Sequence, residues 1–177
     1  RMAKSASKKK SAAAFAASDD ESARGRLLNA ATHLFCRYGI NATGIDAIIN
    51  EAGTAKTTLY KLFGSKTNLV NAVLESEGKA WREWFIGAME DGGGDAQAKL
   101  TRIFPALKRW FAEERFYGCP FINAVAEHDK DARQFRNIAL RHKKVVLAHI
   151  EKLAGEMGAA EPQVLAHQLA LLIDGAI

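Results

Sequence analysis

Residues 56–61 read Lys-Thr-Thr-Leu-Tyr-Lys, a run of hydrogen-bond donors carrying positive charge and no carboxylate. Lys56 and Lys61 supply ammonium groups suited to phosphate oxygens. Thr57 and Thr58 are small enough to approach base edges. Tyr60 joins a packing ring to a hydroxyl that can donate to a phosphate. On a helix, Leu59 and Leu62 of the same segment are expected to face the core, leaving the donors on the outer side. Catalytic chemistry finds no comparable material. No phosphate loop, nucleophile elbow or zinc signature occurs. His33, His128, His142, His149 and His167 are too scattered for a ligand set, and Cys36 and Cys119 fit neither a metal spacing nor a disulfide framework. Glu127 and His128 are the one suggestive acid–base pair, but neighbours on a helix point apart. No catalytic residue, metal or cofactor is expected, and a helical enzyme is the weakest reading.

The donor run needs a rigid support, and the preceding residues supply one. Thr43, with Asp46 three positions on, has the form of a capping box that opens a short helix. Ile45, Ile48, Ile49 and Ala52 form its apolar side, and Gly53 ends it. A second short helix is predicted from about Ala55 to Leu62, with Thr54 as its cap because Ala55 has no side-chain oxygen. Two short helices joined by a tight glycine-containing turn make a helix-turn-helix over residues 43–63. Before it, Ser18 and Glu21 form another capping box. Leu27, Ala31, Leu34, Phe35 and Tyr38 mark a buried stripe, closed by Gly39. After it, Ser65 caps a helix with Leu69, Val70, Val73 and Leu74 inside.

The chain has 177 residues, of which 48% are hydrophobic, and its formal net charge is +5. Residues 1–66 hold 11 Lys and Arg against 5 Asp and Glu; the remainder holds 14 against 15. A basic end on a neutral body implies a polyanionic partner at that end, nucleic acid or an anionic surface. No apolar run approaches the ~20 residues that span a bilayer, and no signal-peptide pattern appears. A cytoplasmic protein without a membrane partner is expected. Residues 1–17, rich in Lys, Ser and Ala, are expected to be a basic disordered tail, with a DNA-following arm as the sharper alternative.

From Arg24 to Leu74 the chain resembles the tetracycline-repressor (TetR) family of regulators. The resemblance rests on RLLNAATHLFCRYGINAT, on EAG before the turn, on TTLYKLF, and on GSKTNLVNAVL, in order and at the usual spacing. It implies that Thr43, Tyr60, Lys61 and Lys66 contact phosphate, and that Lys56, Thr57 and Thr58 reach base edges or nearby phosphates. The sequence departs from the family at Ala55, often Ser, and at Thr57, often Gly, which leaves the base-reading set open.

The resemblance weakens after residue 78, where GCPFINAVAEHDKDARQF matches a segment of some members. Such regulators pair a DNA-binding head with a helical domain that binds a small molecule and dimerises. Aromatic residues concentrate between 81 and 121, and Phe104, Leu107, Phe111, Cys119, Ile122, Asn123 and Glu127 are the candidate lining of an effector cavity. A helix is expected from Ala96 to Glu114, another from Pro120, a long one from about Ala132 to Met157, and a last one from Pro162. Ile138, Val145, Val146, Ile150 and Leu153, with Leu165, Leu169, Leu172, Ile173 and Ala176, form stripes expected to pair in a homodimer. The expected fold is therefore all-α: a tail over 1–17, a helix-turn-helix head over 18–76, and a ligand-binding and dimerisation domain over 77–177. The partners expected are double-stranded DNA with a near-palindromic operator, a second copy, and a small-molecule effector. A non-specific architectural DNA-binding protein is the alternative.

Overall fold

The computed structural model describes residues 22–128 and 133–177. The tail, Ser18, Glu21 and Ala132 lie outside them. The described residues form nine helices and no strand: α1 (Ala23–Tyr38), α2 (Ile45–Ala52), α3 (Lys56–Phe63), α4 (Lys66–Glu90), α5 (Ala96–Thr101), α6 (Ile103–Phe111), α7 (Pro120–Ala126), α8 (Arg133–Glu156) and α9 (Pro162–Ala176).

Local chemistry explains the ends. Ser22 caps α1 by accepting from the Gly25 N–H, and Ser65 caps α4 by accepting from the Asn68 N–H, each at 3.1 Å. Gly39 closes α1 with φ 90° and an extended ψ of 158°, so the chain turns sharply away. That turn corrects one expectation. Tyr38 was expected inside, but no element follows to cover it; it is 54% exposed and lies against the Arg37 guanidinium.

The helix expected from Ala96 to Glu114 is two helices joined at Arg102. Pro105 is the cause: it has no N–H for the Thr101 carbonyl, and its ring crowds that turn. Arg102 braces the break, donating to the Met89 carbonyl at 2.8 Å and the Gly93 carbonyl at 2.6 Å.

Two clusters make the core, and α4 belongs to both. The first gathers Leu27, Leu34, Phe35, Ile48, Leu59 and Phe63 with Leu69 and Val73, and extends to Phe121 on α7 and Phe135 on α8. The second gathers Phe85 and Met89 with Leu100, Ile103, Leu107, Ile150 and Ile173. Helix α4 runs unbroken for 25 residues, about 37 Å, through the expected domain boundary at 76–77. The head therefore shares its interior with α7 and α8.

The α8 stripe is also corrected. Ile138, Val146, Ile150 and Leu153 are buried within the subunit, as is Ile173 of α9. The large apolar side chains left exposed on α8 and α9 themselves are Leu140, Val145, Val164, Leu171 and Leu172. Val145 beside Val146 and Leu172 beside Ile173 show the stripe spreading over two faces.

Candidate nucleic-acid interface and effector cavity

Helix α3 is held from below by Leu59 and Phe63, which are 0% and 7% exposed. Lys56, Thr57, Tyr60 and Lys61 are on its exposed side, and Thr58 is half-buried. Leu62 was expected in the core; it is 40% exposed, and Phe63 takes its place inside. Lys56 Nζ lies 3.2 Å from Asp46 Oδ1 of α2, an exposed pair that steadies the side chain without neutralising the surface permanently. Neither α2 nor α3 has a side-chain cap. Their N-terminal N–H groups therefore remain suited to an anion.

Two expectations change here. Thr43 does not cap α2; Gly44 holds that position. The Thr43 side chain is 4% exposed, and its hydroxyl donates to the Gly39 carbonyl at 2.7 Å, with the Leu34 carbonyl at 3.3 Å. It thereby supplies a donor to the turn that ends α1. Thr54 does not cap α3 either: Ala55 is the cap residue, and the buried Thr54 hydroxyl has no partner. Lys66 has its ammonium on the Ile40 carbonyl at 2.6 Å, and burial lowers its pKa.

Within the head, Arg26 of α1 donates to the Ala52 carbonyl at 3.1 Å, and His33 lies 2.7 Å from Glu51, so α1 holds α2. The head is also braced to the body. Glu127, at the end of α7, accepts from the Asn41 N–H at 2.8 Å, and Asn41 Nδ2 donates to the Glu127 carbonyl at 2.5 Å. The loop that carries α2 and α3 is thus tied to α7.

A cavity of about 410 Å³ lies between α1, α4, the 115–121 segment, α8 and α9. Its walls are mainly apolar, with Trp81, Trp110, Tyr117, Phe121, Leu140 and Ile173 among them. Of the seven expected lining residues only Cys119 is there. Phe104 and Ile122 are exposed, Leu107 is packed in the second core cluster, and Phe111 packs on Trp110 and Phe116. Asn123 and Glu127 border only a cleft of about 20 Å³. Helical spacing within α6 and α7 does not tell which side of each helix meets the cavity.

The sequence reading missed Glu77 at this cavity. It stands one turn from Val73 and one from Trp81 on the inner side of α4, so a carboxylate on an apolar stripe was the available signal. Its Oε1 is sealed from solvent without a partner, and burial pushes its pKa up to about 7. Burial also pushes the Cys36 thiol up to about 12, and raises Cys119. Both cavity thiols are therefore protonated and poor nucleophiles. His142 is held neutral, its pKa pushed down to about 3 by burial and by Arg82, whose guanidinium is 3.1 Å away. Among the described residues no group of three His, Cys, Asp or Glu could hold a metal ion, and no helix is long and apolar enough to cross a membrane.

Residues 27–73 match the family described as bacterial regulatory proteins, tetR family. A TetR-family transcriptional regulator from Streptomyces coelicolor has a similar structure, with TM-score 0.79 and 31% identity, covering 87% of this chain and 81% of that one. A regulator from Streptomyces avermitilis is similar with TM-score 0.77 and 30% identity, covering 88% and 84%. By sequence, an uncharacterized HTH-type regulator from the lacX 3′ region of Lactococcus lactis is 27% identical over 112 residues, 63% of this chain and 57% of that protein. The chain thus spans little more than half the length of that relative.

Proposed function

The chain belongs to the TetR family of bacterial transcriptional regulators, and on that premise we propose that it is a repressor released from its operator by a small, largely apolar effector. The observation that carries the DNA-binding part is α3: Leu59 and Phe63 anchor it, while Lys56, Thr57, Tyr60 and Lys61 share the outer side of a helix that has no carboxylate of its own. Lys56, Thr57 and Thr58 read base edges or adjacent phosphates. Tyr60 and Lys61 hold phosphate. Thr43 and Lys66 act at one remove, fixing the loop before α2 through the Gly39 and Ile40 carbonyls.

The cavity is the effector site, and residues 77–177 form the sensing body for a head over 18–76. Two connections carry its state to the head. Helix α4 has Glu77 and Trp81 at the cavity and Leu69 and Val70 in the head's core. Helix α7 has Cys119, Pro120 and Phe121 at the cavity and is followed by Glu127 on the Asn41 loop. An effector releases DNA only in so far as it binds one arrangement of these elements better than another. Two copies join through the exposed strip of α8 and α9, placing two recognition helices on successive major grooves, about 34–36 Å apart or a multiple of it, of a near-palindromic operator. Such a protein works in the cytoplasm.

Fluorescence anisotropy on the DNA upstream of its own gene, across a salt series, tests this reading. Tight binding to one fragment and weak binding to scrambled fragments is the expected result. Equal, weak binding to all would sink sequence-specific regulation and favour an architectural role.

A further inference from the structure

The cavity has one acidic side chain that the chain itself leaves without a partner. Glu77 is at its wall, one carboxylate oxygen is sealed from solvent without a partner, and burial alone accounts for its perturbed acidity. No described Lys or Arg forms an ion pair with it. The other charges at the cavity are accounted for. Lys143 is paired with Asp174, and Arg115 and Lys144 are solvated at the exposed rim.

Around Glu77 the walls are aromatic. Trp81 stacks on Phe85 with centroids 4.6 Å apart and meets the edge of Trp110 at 5.5 Å. Tyr117 is on the same cavity. Aromatic faces carry a negative quadrupole that attracts cations, most strongly where water is excluded. A carboxyl group on the same cavity as such faces adds a second attraction for a cation. An anionic ligand against Glu77 would be repelled by the ionised carboxylate. A neutral ligand would leave the acid to hold its proton, whereas a cation beside it would favour the ionised form.

We infer that the cavity takes an organic cation, with its ammonium group against the Glu77 carboxylate and between the faces of Trp81, Trp110 and Tyr117. The apolar remainder of the ligand lies along Leu140, Leu147 and Ile173. The inference rests on the reading of this cavity as the effector site, and names the class of effector.

Calorimetric titration of the full chain tests it with two probes of one shape. Benzyltrimethylammonium carries the charge, and 2,2-dimethylpropylbenzene replaces the nitrogen by carbon. The cation is expected to bind at least about tenfold more tightly, as an ion pair out of water outweighs one in it. Glu77→Gln keeps size and shape and is expected to abolish that preference, with circular dichroism showing the fold unchanged. Trp81→Leu is expected to weaken the cation more than its carbon isostere. Equal binding of the two probes, binding of neither, or a preference that survives Glu77→Gln overturns the inference. Adding the cation to the DNA assay separates the two readings. If it binds through Glu77 but leaves operator affinity unchanged, the cation site stands and effector-controlled release falls.

Discussion

Glu127 and Asn41 are 86 residues apart in sequence and share two hydrogen bonds, one from the Asn41 N–H to the carboxylate and one from the Asn41 amide to the Glu127 carbonyl. The contact fits only because residue 39 is glycine. A Cβ there would sit 3.1 Å from both carboxylate oxygens, and its φ of +90° already disfavours other residues. Glu127→Ala is expected to free the loop before α2. Hydrogen exchange at the Asn41 amide should rise about tenfold or more, with a stability loss of about 1 kcal/mol, the usual worth of one such bond. Unchanged protection would show that the contact does not hold the head.

The sequence made some of this visible and hid the rest for identifiable reasons. The helix-turn-helix was legible because Ile48, Leu59 and the Ser65 cap obey local spacing rules. Tyr60 and Lys61 came out exposed by the same periodicity. The cavity was not legible. Its walls come from helices far apart in sequence, Phe104 is exposed, and Phe111 packs behind the cavity residue Trp110 rather than lining the cavity itself. Asn123 and Glu127 were read as ligand anchors because they share a helical side; spacing within one helix says nothing of what that side meets. Thr43 was read as a cap and phosphate donor, although a threonine there can equally satisfy carbonyls behind it, and it does.

Phe121 of α7 and His142 of α8 stack over Gly78 of α4, with ring centroids 4.1 Å apart at 17°. A Cβ on Gly78 would lie 2.8 Å from the Phe121 ring and 3.2 Å from His142 Nδ1. Helix propensity favours alanine at such a position by about 1 kcal/mol. The clash is against a ring that is 3% exposed and cannot swing aside. Overpacking should win, so Gly78→Ala is expected to lower stability by roughly 1–3 kcal/mol in urea unfolding. A gain in stability would show that α7 yields easily from α4.

Glu77 and His142 give the fold opposite pH dependences. The folded pKa of Glu77 is raised from 4.5 to about 7 by burial, so the native state keeps a proton that the unfolded chain releases. Stability from this group falls as pH rises across that window, by roughly 3 kcal/mol at about 1.4 kcal/mol per unit. His142 is lowered from 6.5 to about 3, first by burial and then by Arg82, so the unfolded chain takes a proton that the native state refuses. Its stability is present above 6.5 and is lost as pH falls toward 3. Glu77→Gln should therefore stabilise by a few kcal/mol at about pH 8 and by little at about pH 4.5, measured by urea unfolding at each pH. Equal gains at both would mean that Glu77 is not penalised by burial.

Leu171 is 73% exposed, and with Val164 and Leu172 it continues a strip onto Leu140 and Val145 of α8. An apolar strip of this kind on paired helices suits a four-helix interface between copies. Leu171→Glu is expected to shift sedimentation from dimer to monomer at micromolar concentration. The helical content should stay constant, since the side chain is largely exposed, although it also borders the cavity. Operator affinity should fall in step, because two linked heads bind one palindrome far better than two separate ones. A wild-type monomer at these concentrations would remove this interface from the account.

The lysines at the head differ in kind, and so should their variants. Lys61 is exposed on the outer side of α3 and belongs to no ion pair among the described residues. If it holds a phosphate, Lys61→Ala should weaken all DNA fragments alike and reduce the slope of log affinity against log salt by about 0.9. Its effect on stability should be within about 0.5 kcal/mol. Lys66 instead supports the Ile40 carbonyl at 2.6 Å from a partly buried position. Lys66→Ala leaves that carbonyl without its donor and should cost about 1–2 kcal/mol of stability, with a smaller change in salt slope. Thr43→Val removes a buried hydroxyl from the Gly39 carbonyl in the same way, and should cost about 1 kcal/mol with most DNA affinity retained when measured well below the melting temperature. If Lys66→Ala loses a full unit of salt slope and no stability, its ammonium leaves Ile40 for the phosphate when DNA binds. The carbonyl contact would then be the resting position of a DNA ligand rather than a brace for the α1–α2 loop.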